Sequence, residues 1–159
     1  MQRLIALAGV SLALAAMAWT AGAASAGKQD KQETHVKVTA TAGKIDKDGF
    51  QTVTVLMDIE SPWYAYANPT GNANVESVRT KVAITGKNKL QKVDVTYPPG
   101  KRKTLGDESY NAYEGKVEIT AKVQRAPGDT GPLDVSVKYS TCHPKGICLP
   151  PEEVKLQVK

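Results

Sequence analysis

Apolar and polar side chains alternate along most of this chain with a period of two. The pattern runs through His35–Ala40, Gln51–Ile59, Arg79–Ile84, Leu90–Tyr97, Lys116–Val123, Leu133–Tyr139 and Val154–Val158. Successive side chains of a strand point to opposite faces of a sheet, so alternation of this kind predicts half-buried antiparallel strands. Valine, isoleucine and threonine dominate the runs, as suits a pleated surface. Turn-forming clusters separate them: Asp46-Lys47-Asp48-Gly49, Asn68-Pro69-Thr70-Gly71, Pro98-Pro99-Gly100 and Pro127-Gly128-Asp129-Thr130-Gly131-Pro132. Beyond residue 26 no stretch holds a helical 3.6 period for three turns. Seven short strands at this spacing predict an all-β, immunoglobulin-like two-sheet antiparallel sandwich.

Two segments break the alternation. Ser61–Pro69 is aromatic and bounded by prolines, and Gly106–Gly115 reads as an acidic, tyrosine-rich loop leading into the Lys116 strand. Two explanations are open for each: aromatics filling a core, or side chains gathered for function.

The first residues change the expected compartment. Met1-Gln2-Arg3 carries one positive charge, Leu4–Trp19 is apolar, and Ala21–Ala26 is built of small residues. That is the layout of a cleaved export signal, expected over residues 1–26, with the folded domain over 27–159. The apolar run is shorter than the roughly 20 residues a membrane-spanning helix needs. An exported, soluble domain of ordinary size follows, long enough to bury a core without dense cross-linking.

Charge adds little. The formal net charge is +5, but the lysines are dispersed and the densest cluster is Lys101-Arg102-Lys103. No aromatic residues interleave with it as a stacking platform for bases requires, so no nucleic-acid partner is expected.

The two cysteines, Cys142 and Cys148, are the only ones in the chain. Five residues lie between them in Tyr139-Ser140-Thr141-Cys142-His143-Pro144-Lys145-Gly146-Ile147-Cys148-Leu149-Pro150-Pro151, flanked by two strand-like runs. A pair at the two ends of a short turn can close at the tip of a hairpin. One reading is a structural staple, the default for an exported protein, stabilising by about 2–3 kcal/mol in the chain-entropy picture. The other is a redox pair, because thiol–disulfide exchange needs an accessible sulfur and a second thiol beside it to resolve the mixed disulfide. Gly146 permits a tight backbone, and His143 and Lys145 would favour a thiolate if turned inward. The spacing is not the C-x-x-C of thioredoxin-like enzymes.

A metal site competes through Cys142, His143, Cys148 and the distant His35, but adjacent Cys142 and His143 would project to opposite faces of a strand. No H-E-x-x-H, G-x-S-x-G, phosphate-loop or C-x-x-C-H pattern occurs. Two histidines leave little for a Ser-His-Asp triad.

The run from Tyr139-x-x-Cys142 through Cys148-Leu149-Pro150-Pro151-Glu152 resembles the active-site hairpin of the amino-terminal periplasmic domain of the DsbD thiol:disulfide interchange family. Trp63-Tyr64-Ala65-Tyr66 is similar to that family's Tyr-x-Tyr segment, and Tyr113-Glu114-Gly115-Lys116-Val117 to the start of one of its strands. The resemblance implies an immunoglobulin-like redox carrier that works without a cofactor, a metal or a small-molecule substrate. It implies Cys148 as the sulfur that forms the mixed disulfide and Cys142 as the one that resolves it. Tyr64 and Tyr66 would pack near the sulfurs, with Asp107 and Glu108 beside them in a capping loop. The family's capping phenylalanine is replaced by Ser109, which leaves Tyr110 as the expected shield. Because the chain stops at Lys159, the expected donor is a separate membrane electron-transport protein, and the expected acceptors are periplasmic thioredoxin-like oxidoreductases. The basic His143-Pro144-Lys145 loop departs from the family and bears on partner choice. The competing function is a non-catalytic binding module with a structural disulfide.

Overall fold

The computed structural model describes residues 34–159. The leader expected over residues 1–26, and the domain start at 27, lie outside the described residues. Twelve strands follow one another: β1 (Val36–Ala42), β2 (Phe50–Ile59), β3 (Tyr64–Tyr66), β4 (Lys81–Gly86), β5 (Lys92–Thr96) and β6 (Lys101–Leu105). The second half holds β7 (Glu108–Tyr113), β8 (Gly115–Gln124), β9 (Leu133–Tyr139), β10 (Thr141–His143), β11 (Ile147–Cys148) and β12 (Glu152–Val158). The described helical structure is one 3-10 turn, Ala73–Val78, between β3 and β4.

All seven alternating runs are strands, and every pairing is antiparallel. One layer is the sheet β1–β2–β8–β5. The facing layer consists of two ladders in series, β12–β9–β4 and β11–β10–β3–β7–β6. They meet where β9 runs on into β10 with only Ser140 between. There the Tyr66 N–H donates to the Ser140 carbonyl at 3.4 Å, and the Thr80 N–H donates to the Tyr66 carbonyl at 2.9 Å. One continuous path of chain therefore joins the sandwich to the cysteine hairpin.

The core is what the period of two selects. Val53, Val55, Met57 and Ile59 of β2 and Val117, Ile119, Ala121 and Val123 of β8 point inward. Leu133, Val135, Val137 and Tyr139 of β9 belong to the same core. Each aliphatic side chain removed from water there stabilises by roughly 1.5–3 kcal/mol. The intervening Thr52, Leu56, Lys116, Glu118 and Lys122 are exposed.

The strands that break the alternation are short or covered on both sides. All three residues of β3 are buried. Gly106–Gly115, expected as a loop, is largely the strand β7 behind a two-residue turn at Gly106-Asp107, with Leu105 opposite Glu108. Its Tyr110 and Ala112 face one way and Tyr113 the other, and all three are buried. A strand covered on both faces carries no polar side to alternate with, so the period vanishes. The β6 edge strand, Lys-Arg-Lys-Thr-Leu, is polar at four of five positions and reads as loop for the opposite reason.

Gly100 sits at the start of β6 where that strand crosses β3 and β7. A methyl group there would lie 2.5 Å from the Ala67 Cβ and 3.0 Å from the Ala112 amide nitrogen. Gly100→Ala should destabilise the domain by about 1–3 kcal/mol, because the overpacking exceeds the smaller gain from a stiffer unfolded chain. A denaturant titration with an unchanged or raised midpoint would contradict this close approach.

Candidate functional site

Cys142 and Cys148 are bonded to each other, with their Cα atoms 4.0 Å apart. They are direct cross-strand partners in the β10–β11 hairpin. The Leu149 N–H donates to the Thr141 carbonyl on one side of the pair, at 2.9 Å. On the other side the three-residue loop Pro144-Lys145-Gly146 closes the hairpin. The Gly146 N–H donates to the His143 carbonyl at 2.9 Å, and Gly146 is in the left-handed region at φ 84°. That is the glycine a three-residue hairpin loop demands. Side chain and backbone thus agree on a rigid tip.

The two cysteines have different surroundings. Cys142 is 1% exposed, whereas Cys148 lies on an exposed edge strand. Cys142 also pairs with Tyr64 of β3, so Cys148, Cys142 and Tyr64 form one cross-strand row. Alternation then divides the sheet's side chains between two cores. Ala65, Ala67 and Tyr113 enter the main core, while Tyr64, Tyr66, Tyr110, Ala112 and Cys142 form a second cluster on the other face. Val75 and Val78 of the 3-10 turn pack against this second cluster.

The cluster is a triangle of tyrosines over one sulfur. Ring centroids lie 5.9 Å apart for Tyr64–Tyr110, 6.1 Å for Tyr64–Tyr66 and 5.2 Å for Tyr66–Tyr110. The Tyr64 and Tyr110 hydroxyls share a 2.8 Å hydrogen bond. The Tyr66 hydroxyl lies 3.7 Å from the Cys142 sulfur. A disulfide sulfur has no hydrogen, so Tyr66 is the donor. Burial raises the pKa of Tyr64 well above the ordinary phenol value, with the Tyr110 hydrogen bond adding to the effect, and raises that of Tyr66 as well. Both hydroxyls therefore stay protonated through the neutral range.

Charge surrounds the cluster on one side. Lys103 sits 5.1 Å above the Tyr64 ring and pairs with Glu114, whose carboxylate also meets Lys101 at 3.5 Å. The Lys103 hydrogen bond holds Glu114 below the usual carboxylate range. On the opposite face of the hairpin, His143 packs edge-on against Trp63 at 5.2 Å, and His35 stacks flat on the same indole at 4.0 Å. His35 and His143 thus embrace Trp63, while the two sulfurs bond to each other. Among the described residues no three His, Cys, Asp or Glu side chains gather as a metal site.

Asp107 and Glu108 are exposed at the tip of the β6–β7 hairpin. Glu108 accepts hydrogen bonds from Asn72 at 2.8 Å and Asn74 at 2.7 Å, which ties the hairpin to the 3-10 turn. Neither carboxylate bonds to the cysteine pair. Tyr110, by contrast, packs directly on Tyr64 and Tyr66. Lys101, Lys103 and Glu114 were not legible as neighbours of the tyrosine cluster. His35 entered only as a distant candidate metal ligand, and Trp63 only through its place beside Tyr64.

Raised tyrosine pKa values have a consequence at alkaline pH. The folded state holds the protons of Tyr64, Tyr66, Tyr113 and Tyr139 more tightly than the unfolded chain does, in each case chiefly through burial. Their contribution to stability is intact below the unfolded value of about 10 and is lost as pH rises towards the folded values. An ultraviolet titration should show at least four of the six tyrosines ionising late, with unfolding. Reversible ionisation of all six together near pH 10 would contradict the packing described.

The comparisons with known proteins bear on the same region. The sequence profile of the family "Thiol:disulfide interchange protein DsbD, N-terminal" matches residues 29–159. None of the curated proteins matches the chain. The N-terminal periplasmic domain of ScsB from Proteus mirabilis superposes with a TM-score of 0.63 at 18% identity, over 79% of this chain and 46% of that one. The chain thus spans about half the length of that structure. In the complex between the DsbD N-terminal and PilB N-terminal domains from Neisseria meningitidis, the matching chain has a TM-score of 0.50 at 16% identity. That match covers 71% of this chain and 76% of the other. These likenesses show a shared immunoglobulin-like fold. By the extent of the profile match, the chain belongs to the family of DsbD N-terminal domains.

Proposed function

We propose that this protein is an exported thiol:disulfide interchange domain that relays reducing equivalents through Cys142 and Cys148. It takes them from a separate membrane electron-transport protein and passes them to periplasmic thioredoxin-like oxidoreductases. The observation that carries the reading is the asymmetry of the pair: an exposed Cys148 against a buried Cys142 with a hydroxyl on its sulfur. Family membership supports the chemistry. The complex of the Neisseria DsbD N-terminal and PilB N-terminal domains supports a protein as exchange partner, and the periplasmic ScsB domain supports the compartment.

Exchange proceeds by attack of a thiolate on one sulfur of a disulfide, with the other sulfur leaving. A donor thiolate attacks the Cys148 sulfur, the Cys142–Cys148 bond breaks, and Cys142 leaves as a thiolate. The donor's second thiolate then attacks the donor sulfur of the mixed disulfide and frees Cys148. The domain is now a dithiol and the donor a disulfide. In the second half-cycle the Cys148 thiolate attacks the acceptor's disulfide and one acceptor thiolate leaves. Cys142 then attacks the Cys148 sulfur, the second acceptor thiolate leaves, and the bridge is restored.

Tyr66 acts in both halves. Its hydroxyl donates toward Cys142, so it stabilises that sulfur as an anion when Cys142 leaves and when it returns as nucleophile. The rigid hairpin keeps the resolving sulfur within bonding reach, which favours closure over capture by a second partner.

Two single-cysteine variants test the division of roles. Offered a single-cysteine thioredoxin-like protein capped by glutathione, Cys142→Ala should displace the glutathione with its Cys148 thiolate and hold the covalent adduct. Cys148→Ala should form the adduct at least about tenfold more slowly, because reactivity follows accessibility. Equal rates would remove the asymmetry on which the reading rests, and no adduct with either variant would leave a structural staple.

A further inference from the structure

The hairpin tip carries an exposed apolar residue and an exposed cation where the proposed exchange would occur. Ile147, next to Cys148, is 58% exposed. Lys145 is exposed in the loop between the cysteines, and among the described residues no carboxylate pairs with it. Beside the loop lies an open pocket of about 330 Å³. Trp63 and Pro144 form part of its wall, and Lys101 and Glu114 bring the charge.

The charge balance at this end of the molecule is positive. Glu114 is shared by Lys101 and Lys103, so one carboxylate offsets two ammonium groups. Lys101 makes the longer contact and its side chain is 74% exposed, which leaves it facing solvent. Glu60, hydrogen-bonded to His35 at 2.9 Å, is one exposed carboxylate against Lys145 and the Lys101–Lys103–Glu114 group, so the balance stays positive. The other nearby acids on this sheet, Asp107 and Glu108, stand at the far tip of β7, six residues or more along the chain from Glu114. A partner approaching Cys148 therefore meets Lys145 on the hairpin loop and, beyond Pro144, the pocket whose wall carries Lys101.

Resting on the exchange reading above, we infer that the Cys148 face docks proteins that carry acidic side chains beside their reactive cysteine. An acidic side chain of the partner enters the pocket between Lys101 and Pro144, and a second faces Lys145. Ile147 supplies the apolar contact next to the exchanging sulfurs. Complementary charge at such a rim acts mainly on encounter rate and on the exclusion of wrong partners. The basic loop thus selects which thiol reaches the bond, while the buried tyrosine cluster governs what happens once it breaks.

The test uses the oxidised domain and two synthetic peptides, each with one cysteine, flanked by aspartates in one and by lysines in the other. Each peptide thiolate attacks the Cys148 sulfur, and release of the Cys142 thiol is followed. Rates are expressed per thiolate, since the flanking charges alter peptide ionisation, and the readout is the ratio of the acidic to the basic peptide. At low salt the ratio should be about tenfold and should shrink toward one at high salt, as screening requires. Lys145→Glu with Lys101→Glu should bring it to one or below. A ratio near one at low salt, or a high ratio that survives both substitutions, overturns the inference while leaving the relay intact. If neither peptide nor dithiothreitol opens the bridge, the relay reading fails and the docking inference fails with it.

Discussion

One cross-strand row holds the functional end of this molecule together: Cys148, Cys142 and Tyr64 lie side by side across three strands. The row exists because β9 runs past the edge of its own ladder and continues, after Ser140, as β10 in the next. The main core fixes β9 through Leu133, Val135, Val137 and Tyr139. A strand anchored that firmly fixes the height and facing of everything that follows, because a one-residue slip would turn every side chain to the other face. The position of Cys142 is in this sense a property of the sandwich rather than of the loop.

From that anchoring the chemistry follows. The same alternation that sends Ala65 and Tyr113 into the main core sends Tyr64, Tyr66 and Tyr110 over the sulfur. The Tyr66 phenol is protonated in the neutral range, and burial raises its pKa further, so a donor stays aimed at Cys142. Two residues past the hairpin loop the chain is an edge strand with no neighbour beyond it among the described residues, and Cys148 is exposed. One bond thereby joins a sheltered sulfur to an open one. A structural staple has no need of such a difference, whereas a relay that must be attacked at one end and resolved from the other depends on it.

Most of the sandwich was legible because its seven long strands are covered on one side only, and the polar side writes the period into the sequence. The second sheet was harder to read. β3 and β7 bury side chains on both faces, Ala65 and Tyr113 on one and Tyr64, Tyr66 and Tyr110 on the other, while β6 is polar at four of five positions. In neither case does the strand period survive. The cysteine hairpin and the proximity of Tyr64 and Tyr66 were foreseeable from the local motif and from family resemblance. The pairing of Glu108 with Asn72 and Asn74, and the gathering of His35, Trp63 and His143, depend on long-range register that no local pattern encodes.

The central claim is that the Cys142–Cys148 bridge is a working bond, and its equilibrium with a thiol buffer measures this most directly. The domain is equilibrated across a series of glutathione or dithiothreitol ratios, and the fraction reduced is read after acid quench and alkylation. The account predicts a midpoint above about −300 mV, within reach of cellular thiol carriers, with full reversibility from either direction. A midpoint clearly below that value, or a bridge that opens only when the sandwich unfolds, would contradict it.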